Sequence, residues 1–494
     1  MSPLWSFFLI IGNLILPSCL HYVDHLSENH NVDPSAVVFP SSLLSPFSLP
    51  NRLASKDDKV DLHLEYLHAV EALFAVTTWL KTLLGKDETK NILVSPVSTT
   101  TALGEILLGA RGESRRELLE ILTTVNKTSG TAEATVVEFH QQLGGLIKQL
   151  QNSADYDSAY QLELASAVFL SPQVHLKRDF INAISDLYGV DIEPMDFSGD
   201  PLGALNAMNK WASIHTKGII DKVFSEPLPQ STALVLTNAI YFKGDWETPF
   251  NPRYTVPGTF KINETHEVNV EYMRAEMQLN YVNSSRLGCR MIALPYKHSK
   301  AAMYIILPDQ GNLYNIQEFT ASLSVNDVRE LISSMENLSV TVAMPKMTLT
   351  ESFSIRRALL DIRKQIASGN RNKKFLQRPY EMSCNSSVNL EIGSNRRADV
   401  NKNTSRNAEG LLFDMSGASH DHSLLVDDII HHIFLDVNEF GTVAAAVSAT
   451  TFNKIADNKD FIIKRPFIFF IRHEVTGTPL FWGSIVDPTN SNSE

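Results

Sequence analysis

The stretch Asn438-Glu-Phe-Gly-Thr-Val-Ala-Ala-Ala-Val-Ser-Ala-Thr-Thr451 decides how this chain is read. Its local signals conflict: the successive alanines Ala444, Ala445 and Ala446 favour helix, while the Val, Thr and Ser around them favour extended chain. From Thr442 to Thr451 every side chain is small or β-branched, and none is charged. An ordinary buried strand would show the same pattern. The next residues separate the two readings, because Phe452–Lys464 is mixed and polar and strand character resumes only at Phe467. A chargeless, strand-competent segment that runs into a polar loop is what a movable strand requires.

On either side the pattern is regular. The end, Phe461–Val486, reads as strand broken by a turn at Thr476-Gly477, and buried-strand runs lie at Ala233–Phe242, Arg290–Pro295, Ala301–Leu307 and Leu338–Met344. The first half reads as helix. Leu67, Val70, Leu73, Phe74, Thr77 and Leu80 recur at helical spacing in a pattern that begins near Leu62 and stops at Gly85. Ser95-Pro96 opens another helix, with Leu103, Ile106 and Leu107 on its apolar face. Further helices are predicted at Arg115–Thr123, Glu133–Gln149, Arg178–Tyr188 and Pro201–Thr216. Helices early and mainly antiparallel strands late imply α+β architecture around one core, residues 62–488, with no internal repeat. One segment interrupts this order. Arg363–Glu409 is polar and aperiodic, with ten basic residues against four acidic ones, and reads as a long inserted surface loop.

The 494 residues are 44% apolar and 20% charged, ordinary for a globular chain, and the formal net charge of −12 argues against a general nucleic-acid binder. Leu4–Leu16 is an almost unbroken apolar run ending at Pro17-Ser18-Cys19, short for a membrane span and suited to a signal peptide over residues 1–19. An N-terminal anchor and a buried strand are the alternatives. The expectation is a secreted, extracellular monomer with an extended arm at residues 20–61, a polar tail at 489–494 and no span across a membrane. Oxidising surroundings would permit Cys289 to pair with Cys384. Glycosylation acceptors of the Asn-x-Ser/Thr type stand at Asn126, Asn263, Asn283, Asn337, Asn385 and Asn403.

Catalytic signatures are missing. There is no Gly-x-Ser-x-Gly elbow, no phosphate loop, no Gly-x-Gly-x-x-Gly and no His-Glu-x-x-His, so the chain is read as a non-enzyme without cofactor. His420-x-His422, near His431-His432, is the nearest thing to a metal cluster, and no carboxylate or thiolate set completes it.

Four segments, in order and suitably spaced, carry a family resemblance. They are Asn91-Ile-Leu-Val-Ser-Pro-Val-Ser98, Asn238-Ala-Ile-Tyr-Phe-Lys-Gly-Asp-Trp-Glu-Thr-Pro-Phe250, Glu439-Phe-Gly-Thr-Val-Ala-Ala-Ala446, and Arg465-Pro-Phe-Ile-Phe-Phe-Ile-Arg472 followed by Pro479-Leu-Phe-Trp-Gly483. The chain resembles a serpin from about Leu64 to Pro488, apart from the basic insert. The resemblance implies three mainly antiparallel sheets, about eight or nine helices, and an exposed reactive-centre loop at 439–465. It also implies a suicide substrate: a serine protease cuts the loop, becomes an acyl-enzyme, and is trapped when the freed strand inserts into the main sheet. The alternative is a non-inhibitory secreted member acting as carrier, storage protein or receptor ligand.

The resemblance assigns residues as well. Glu439, Gly441, Thr442, Val443, Ala444, Ala445 and Ala446 form the loop hinge, with Thr442, Ala444, Ala446 and Ser448 facing inward on insertion. Phe440 and Val443 depart from the acids that many inhibitory members carry there. Ser95, Ser98, Asn238 and His431 are implied to form the polar network that controls sheet opening, and Trp246 to stand where the loop first enters. Family distance from Glu439 places the attacked bond at Ile455–Ala456, suiting an elastase-like enzyme, whereas Lys454 suits a trypsin-like one and is preferred as the stronger chemical handle. Thr442→Arg is expected to leave the uncut fold intact and to slow insertion. Arg371, Lys373, Lys374, Arg378, Arg396 and Arg397 of the insert form a candidate site for a sulfated polysaccharide.

Overall fold

In the computed structural model the described residues are 66–84, 89–122, 132–155, 160–309, 316–360, 414–420, 424–442 and 459–489. At Ser95 the side-chain hydroxyl caps the backbone N–H of Ser98, while Pro96 fills a first-turn position where no donor is needed. The helix opened there, Pro96–Gly109, is buried along its whole length. Such a helix belongs at the centre of a layered domain.

Numbered along the chain, the helices are α1 (Leu67–Leu84), α2 (Pro96–Gly109), α3 (Gly112–Leu122), α4 (Ala132–Asp155), α5 (Arg178–Tyr188), α6 (Pro201–His215), α7 (Ile316–Ser322) and α8 (Val325–Ser333). A further helical stretch occupies 355–360. The strands are β1 (Ile92–Val94), β2 (Tyr160–Leu170), β3 (Asp191–Pro194), β4 (Leu234–Asp245), β5 (Val256–Lys261), β6 (Glu267–Ser284), β7 (Cys289–Pro295), β8 (Ala301–Pro308), β9 (Glu336–Pro345), β10 (Met347–Ser354), β11 (Asp428–Asn438), β12 (Gly441–Thr442), β13 (Lys459–Ile462), β14 (Phe467–His473) and β15 (Thr478–Ile485).

One six-stranded sheet has the order β10-β11-β12-β4-β2-β3. The other strands form a nine-stranded ladder, β1-β15-β14-β8-β7-β6-β9-β13, with β5 on β6. Two of the three expected sheets share β6, which pairs with β5 and β9 along most of its length and with β7 over Asn280–Ser284. α2 packs between β4 of the first sheet and β15 of the second. Aromatic rings close the layers, with Phe242 and Phe481 at 6.0 Å and Tyr160 and His473 at 6.2 Å between centroids. The opposite face of the six-stranded sheet is covered by α6, where Trp211 meets Phe169 edge-on at 5.6 Å. Each large apolar side chain buried this way contributes about 1.5–3 kcal/mol.

The long helices and the apolar strands fall close to their predicted places. β1, β2, β3, β5, β6, β10 and β11 were not predicted. β6 reads Glu-Val-Asn-Val-Glu-Tyr-Met-Arg-Ala-Glu, with polar residues throughout, because it is half-exposed along one face. α3 begins at Gly112, three residues before its predicted start, since Gly112 has a φ of +54° that terminates the preceding link. The signal-peptide segment, the arm, the insert at 363–409 and the polar tail after Thr489 lie outside the described residues, as do Cys384, Asn126, Asn385 and Asn403. Cys289 is buried, and burial pushes its thiol up to about 12. Asn263, Asn283 and Asn337 are exposed. Among the described residues no group of side chains is arranged to hold a metal ion, and no helix is long and apolar enough to cross a membrane.

Candidate functional site

β4 and β11 run parallel and pair directly from Val235–Asp428 to Tyr241–Phe434. This parallel pair lies in the middle of an otherwise mainly antiparallel sheet and forms its seam, parallel pairing being slightly less stable per residue. Past Phe434 the two strands part, and the chain turns at Asn438–Phe440, with the Phe440 N–H donating to Asn438 Oδ1 at 3.0 Å. β12 then enters the gap. Gly441 and Thr442 pair with Asn438 and Val437 on one side and with Asp245 and Gly244 on the other. Gly441 has a φ of +152°, and a Cβ there would lie 2.0 Å from the Gly244 carbonyl oxygen. Only glycine fits this turn into the sheet.

The same residues clamp the turn. The backbone N–H of Trp246 donates to the Phe440 carbonyl at 2.9 Å, and its indole N–H donates to the Asn438 carbonyl at 3.0 Å. Its ring stacks on Tyr296 at 4.6 Å and 13°, and the Tyr296 hydroxyl lies 2.9 Å from Thr442 Oγ1. Trp246 therefore packs against the first residues of the loop. Thr442 requires a correction. It is fully buried in the uncut chain, so the expectation that Thr442→Arg leaves the uncut fold intact does not hold.

Glu439 anchors the hinge from the other side. Its carbonyl accepts from the Phe250 N–H at 2.8 Å, its Oε1 accepts from the Thr255 hydroxyl at 2.8 Å, and its Oε2 lies 3.2 Å from Lys346 Nζ. Burial alone would raise this carboxyl, but Thr255, a backbone N–H and Lys346 together hold it below the usual range. A depressed carboxylate stabilises the fold above its unfolded value of 4.5 and loses that contribution as pH falls through its folded value. Glu439→Gln is expected to lower the thermal midpoint at pH 7 by the equivalent of about 1–2 kcal/mol, discounted because Lys346 is partly exposed. The variant is also expected to lose part of the stability drop on acidification below pH 4.5. Equal midpoints for the two chains at every pH would show that this tether carries nothing.

The four residues expected to control sheet opening divide into two groups. At the start of α2, the N–H of the capping Ser95 donates to His431 Nε2 at 3.4 Å and Ser98 Oγ lies 3.3 Å from His431 Nδ1, so both ring nitrogens are engaged. Burial, then the neighbouring His432, brings His431 down to about 3, and it stays neutral at physiological pH. Asn238 stands opposite His431 in the β4–β11 register, but its side chain turns away, donating to Ser166 Oγ on β2 at 3.0 Å. Ser166 in turn donates to Glu105 of α2. Sequence reasoning named Asn238 and missed Ser166, Glu105, Tyr296 and Lys346. Only Glu105 had a signal, as the single charge in Ala102-Leu-Gly-Glu-Ile-Leu-Leu-Gly109.

Beyond Thr442 the hinge residues Val443, Ala444, Ala445 and Ala446, and the bond candidates Lys454, Ile455 and Ala456, lie outside the described residues. So does His422, while His420 is exposed and His431 and His432 are buried in β11.

A sequence comparison with "Serine protease inhibitor 28Dc" of Drosophila melanogaster gives 30% identity over 81% of this chain and 76% of that protein. The "Leukocyte elastase inhibitor" of Xenopus tropicalis is also 30% identical, over 81% of this chain and 94% of its own. The crystal structure of human thyroxine-binding globulin superposes with a TM-score of 0.68 at 22% identity, covering 86% of this chain and all of that one (100%), which shows a shared fold. The family model described as "Serpin (serine protease inhibitor)" matches residues 72–367 and 409–488. With the hinge seated at the top of the β4–β11 seam, and a match that spans both strands and the loop after them, this chain belongs to the serpin family.

Proposed function

We propose that the chain is a secreted inhibitor of serine proteases that works as a suicide substrate. The observation that carries this reading is the hinge: β12 already lies between β4 and β11, hydrogen-bonded to both, so the uncut loop begins inside the sheet that would receive it. The chain continues from Thr442 with Val-Ala-Ala-Ala-Val-Ser-Ala, none of it too large or too charged to enter the same gap. Insertion adds backbone hydrogen bonds on both edges and requires no new buried charge. The protease supplies the chemistry: its nucleophile attacks the scissile carbonyl, the amine leaves, and the acyl-enzyme is carried with the inserting strand.

Cleavage after Lys454 suits a trypsin-like enzyme, and cleavage after Ile455 an elastase-like one; the loop of this reading is cut after Lys454. The elastase-inhibitor relatives keep the second bond in the test. Secretion is supported by the apolar N-terminal run and by exposed acceptor sites at Asn263, Asn283 and Asn337, and the basic insert adds a surface for a sulfated polysaccharide. The likeness to thyroxine-binding globulin in fold gives the second reading, a non-inhibitory carrier.

The purified chain, mixed with a panel of trypsin-like and elastase-like serine proteases, is expected to form a covalent complex that survives denaturing electrophoresis. Mass spectrometry of the released C-terminal peptide then reads the bond. A peptide beginning at Ile455 agrees with cleavage after Lys454, and one beginning at Ala456 transfers the specificity to Ile455. Clean cleavage of the loop by every enzyme with no complex retained would favour the carrier.

A further inference from the structure

One row of side chains crosses the six-stranded sheet: Ser166 on β2 faces Asn238 on β4, which faces His431 on β11. Beneath the row lies α2, bonded to it at two points. Ser98 reaches His431, and Glu105, seven positions later on the same face of the helix, accepts the Ser166 hydroxyl at 2.9 and 3.0 Å. The seam between β4 and β11 runs between these two attachments. Opening the seam therefore has to move one attachment relative to the other.

We infer that Glu105 is a positioning residue of the sheet, tying the β2–β4 half to α2 while its carboxyl is protonated and loosening that half when the proton leaves. This rests on the trap reading for its purpose, since a seam that opens matters most to a chain that inserts a strand. The geometry carries it in two ways. Glu105 is fully buried, and among the described residues no cation is paired with it. In addition, the Asn238 amide donates to Ser166 Oγ at 3.0 Å and the Ser166 hydroxyl donates to Glu105, so the carboxyl ends a chain of hydrogen bonds that runs from β4 through β2 to α2. A neutral donor offsets only part of the cost of burying a carboxylate, and an ionised Glu105 leaves an uncompensated charge under the sheet.

The surroundings agree. Burial raises Glu105 to about 8, against weaker lowering by Ser166 and Asn238. From α4 and α5, His140 Nδ1 and the Tyr188 hydroxyl are bonded to each other at 2.6 Å; burial and then Arg115 of α3 hold His140 down to about 3, and burial raises Tyr188 well above its ordinary value. From β11, His431 is neutral above about 3. Arg115 donates to the Leu107 carbonyl at 3.4 Å, and on α1 Lys81 lies over the Trp482 ring of β15 at 4.4 Å and donates to the Leu323 carbonyl. β15 itself brings no titratable side chain. Because the folded value is raised, the contribution is complete below 4.5 and is lost as pH rises through about 8.

The test uses the uncut full chain without any protease. The thermal midpoint and the rate of uptake of a synthetic peptide of residues 442–454, read on native gels, are followed from pH 5.5 to 9. The parent is expected to lose midpoint and to take up peptide faster as pH rises, up to roughly tenfold for each unit over which the closed and open sheets differ by one proton. Glu105→Gln is expected to hold the low-pH midpoint and rate throughout. Ser166→Ala keeps the carboxyl but removes its donor, and should move the transition to higher pH; it serves also if Glu105→Gln fails to fold. A parental pH slope in Glu105→Gln, or an unmoved transition in Ser166→Ala, overturns the inference. A flat parent that still traps proteases refutes this link alone, whereas a sloping parent that traps none refutes the trap and leaves the link standing.

Discussion

A chain cut once after Lys454 is expected to melt roughly 10–20 °C above the uncut chain. The seam is the reason. β12 occupies only the top of the gap between β4 and β11, at Asp245–Gly244 on one edge and Asn438–Val437 on the other. Freed at its far end, the segment after Thr442 can continue down the gap, replacing the direct β4–β11 ladder with two new ones. Each hydrogen bond gained is worth about 0.5–1.5 kcal/mol net, so a net gain of about ten amounts to several kcal/mol at least. In a domain of this size one kcal/mol shifts the midpoint by about 2 °C. Scanning calorimetry of the intact and the cleanly nicked chain measures the difference. Equal midpoints would mean that the loop stays out after cutting, and the inhibitory reading would fall with it.

Thr442→Arg is expected to turn a trap into a substrate. The threonine is fully enclosed, its hydroxyl 2.9 Å from that of Tyr296, whose ring lies against Trp246. A guanidinium there has no partner and costs several kcal/mol to bury. The uncut chain escapes by withdrawing β12, which breaks its pairing and destabilises the top of the sheet, and the cut chain meets the same cost at the start of insertion. A barrier raised by about 3 kcal/mol slows insertion about a hundredfold, long enough for the acyl-enzyme to hydrolyse. The measurement is the ratio of covalent complex to released, cut chain, expected to collapse in Thr442→Arg and to persist in Thr442→Ser. Undiminished complex in the arginine variant would show that Thr442 does not enter the sheet during trapping.

The sequence was legible wherever burial is continuous or periodic. The buried runs at β4, β7, β8 and β14 are apolar at nearly every position, and the helices α2, α5 and α6 announce themselves through Pro at the first turn or apolar spacing. β6 and β11 were harder, since β6 has an exposed polar face and β11 mixes Asp, His and Asn into an apolar run, so neither shows a sharp alternation. The four quoted motifs carry Ser95, Ser98, Asn238 and Trp246, and the fold brings Ser95 and Ser98 to His431, Asn238 to Ser166, and Trp246 to the first residues of the loop.

The α+β class, the serpin family and the small-residue character of the hinge can all be read from the chain before it folds, because each is written in the order of residues along a local stretch. Which of those residues touch is a property of the folded molecule alone. Asn238 turns to Ser166 and not to His431, Glu105 lies under the sheet without a cation among the described residues, and Thr442 is already inside the sheet. The bonds that hold Asn238, Ser166, Glu105, Ser98 and His431 in one row join segments 61 to 333 positions apart. Hydrogen bonds and burial are set by distance in space, and a one-dimensional pattern carries the propensity to be buried without naming the partner that burial brings.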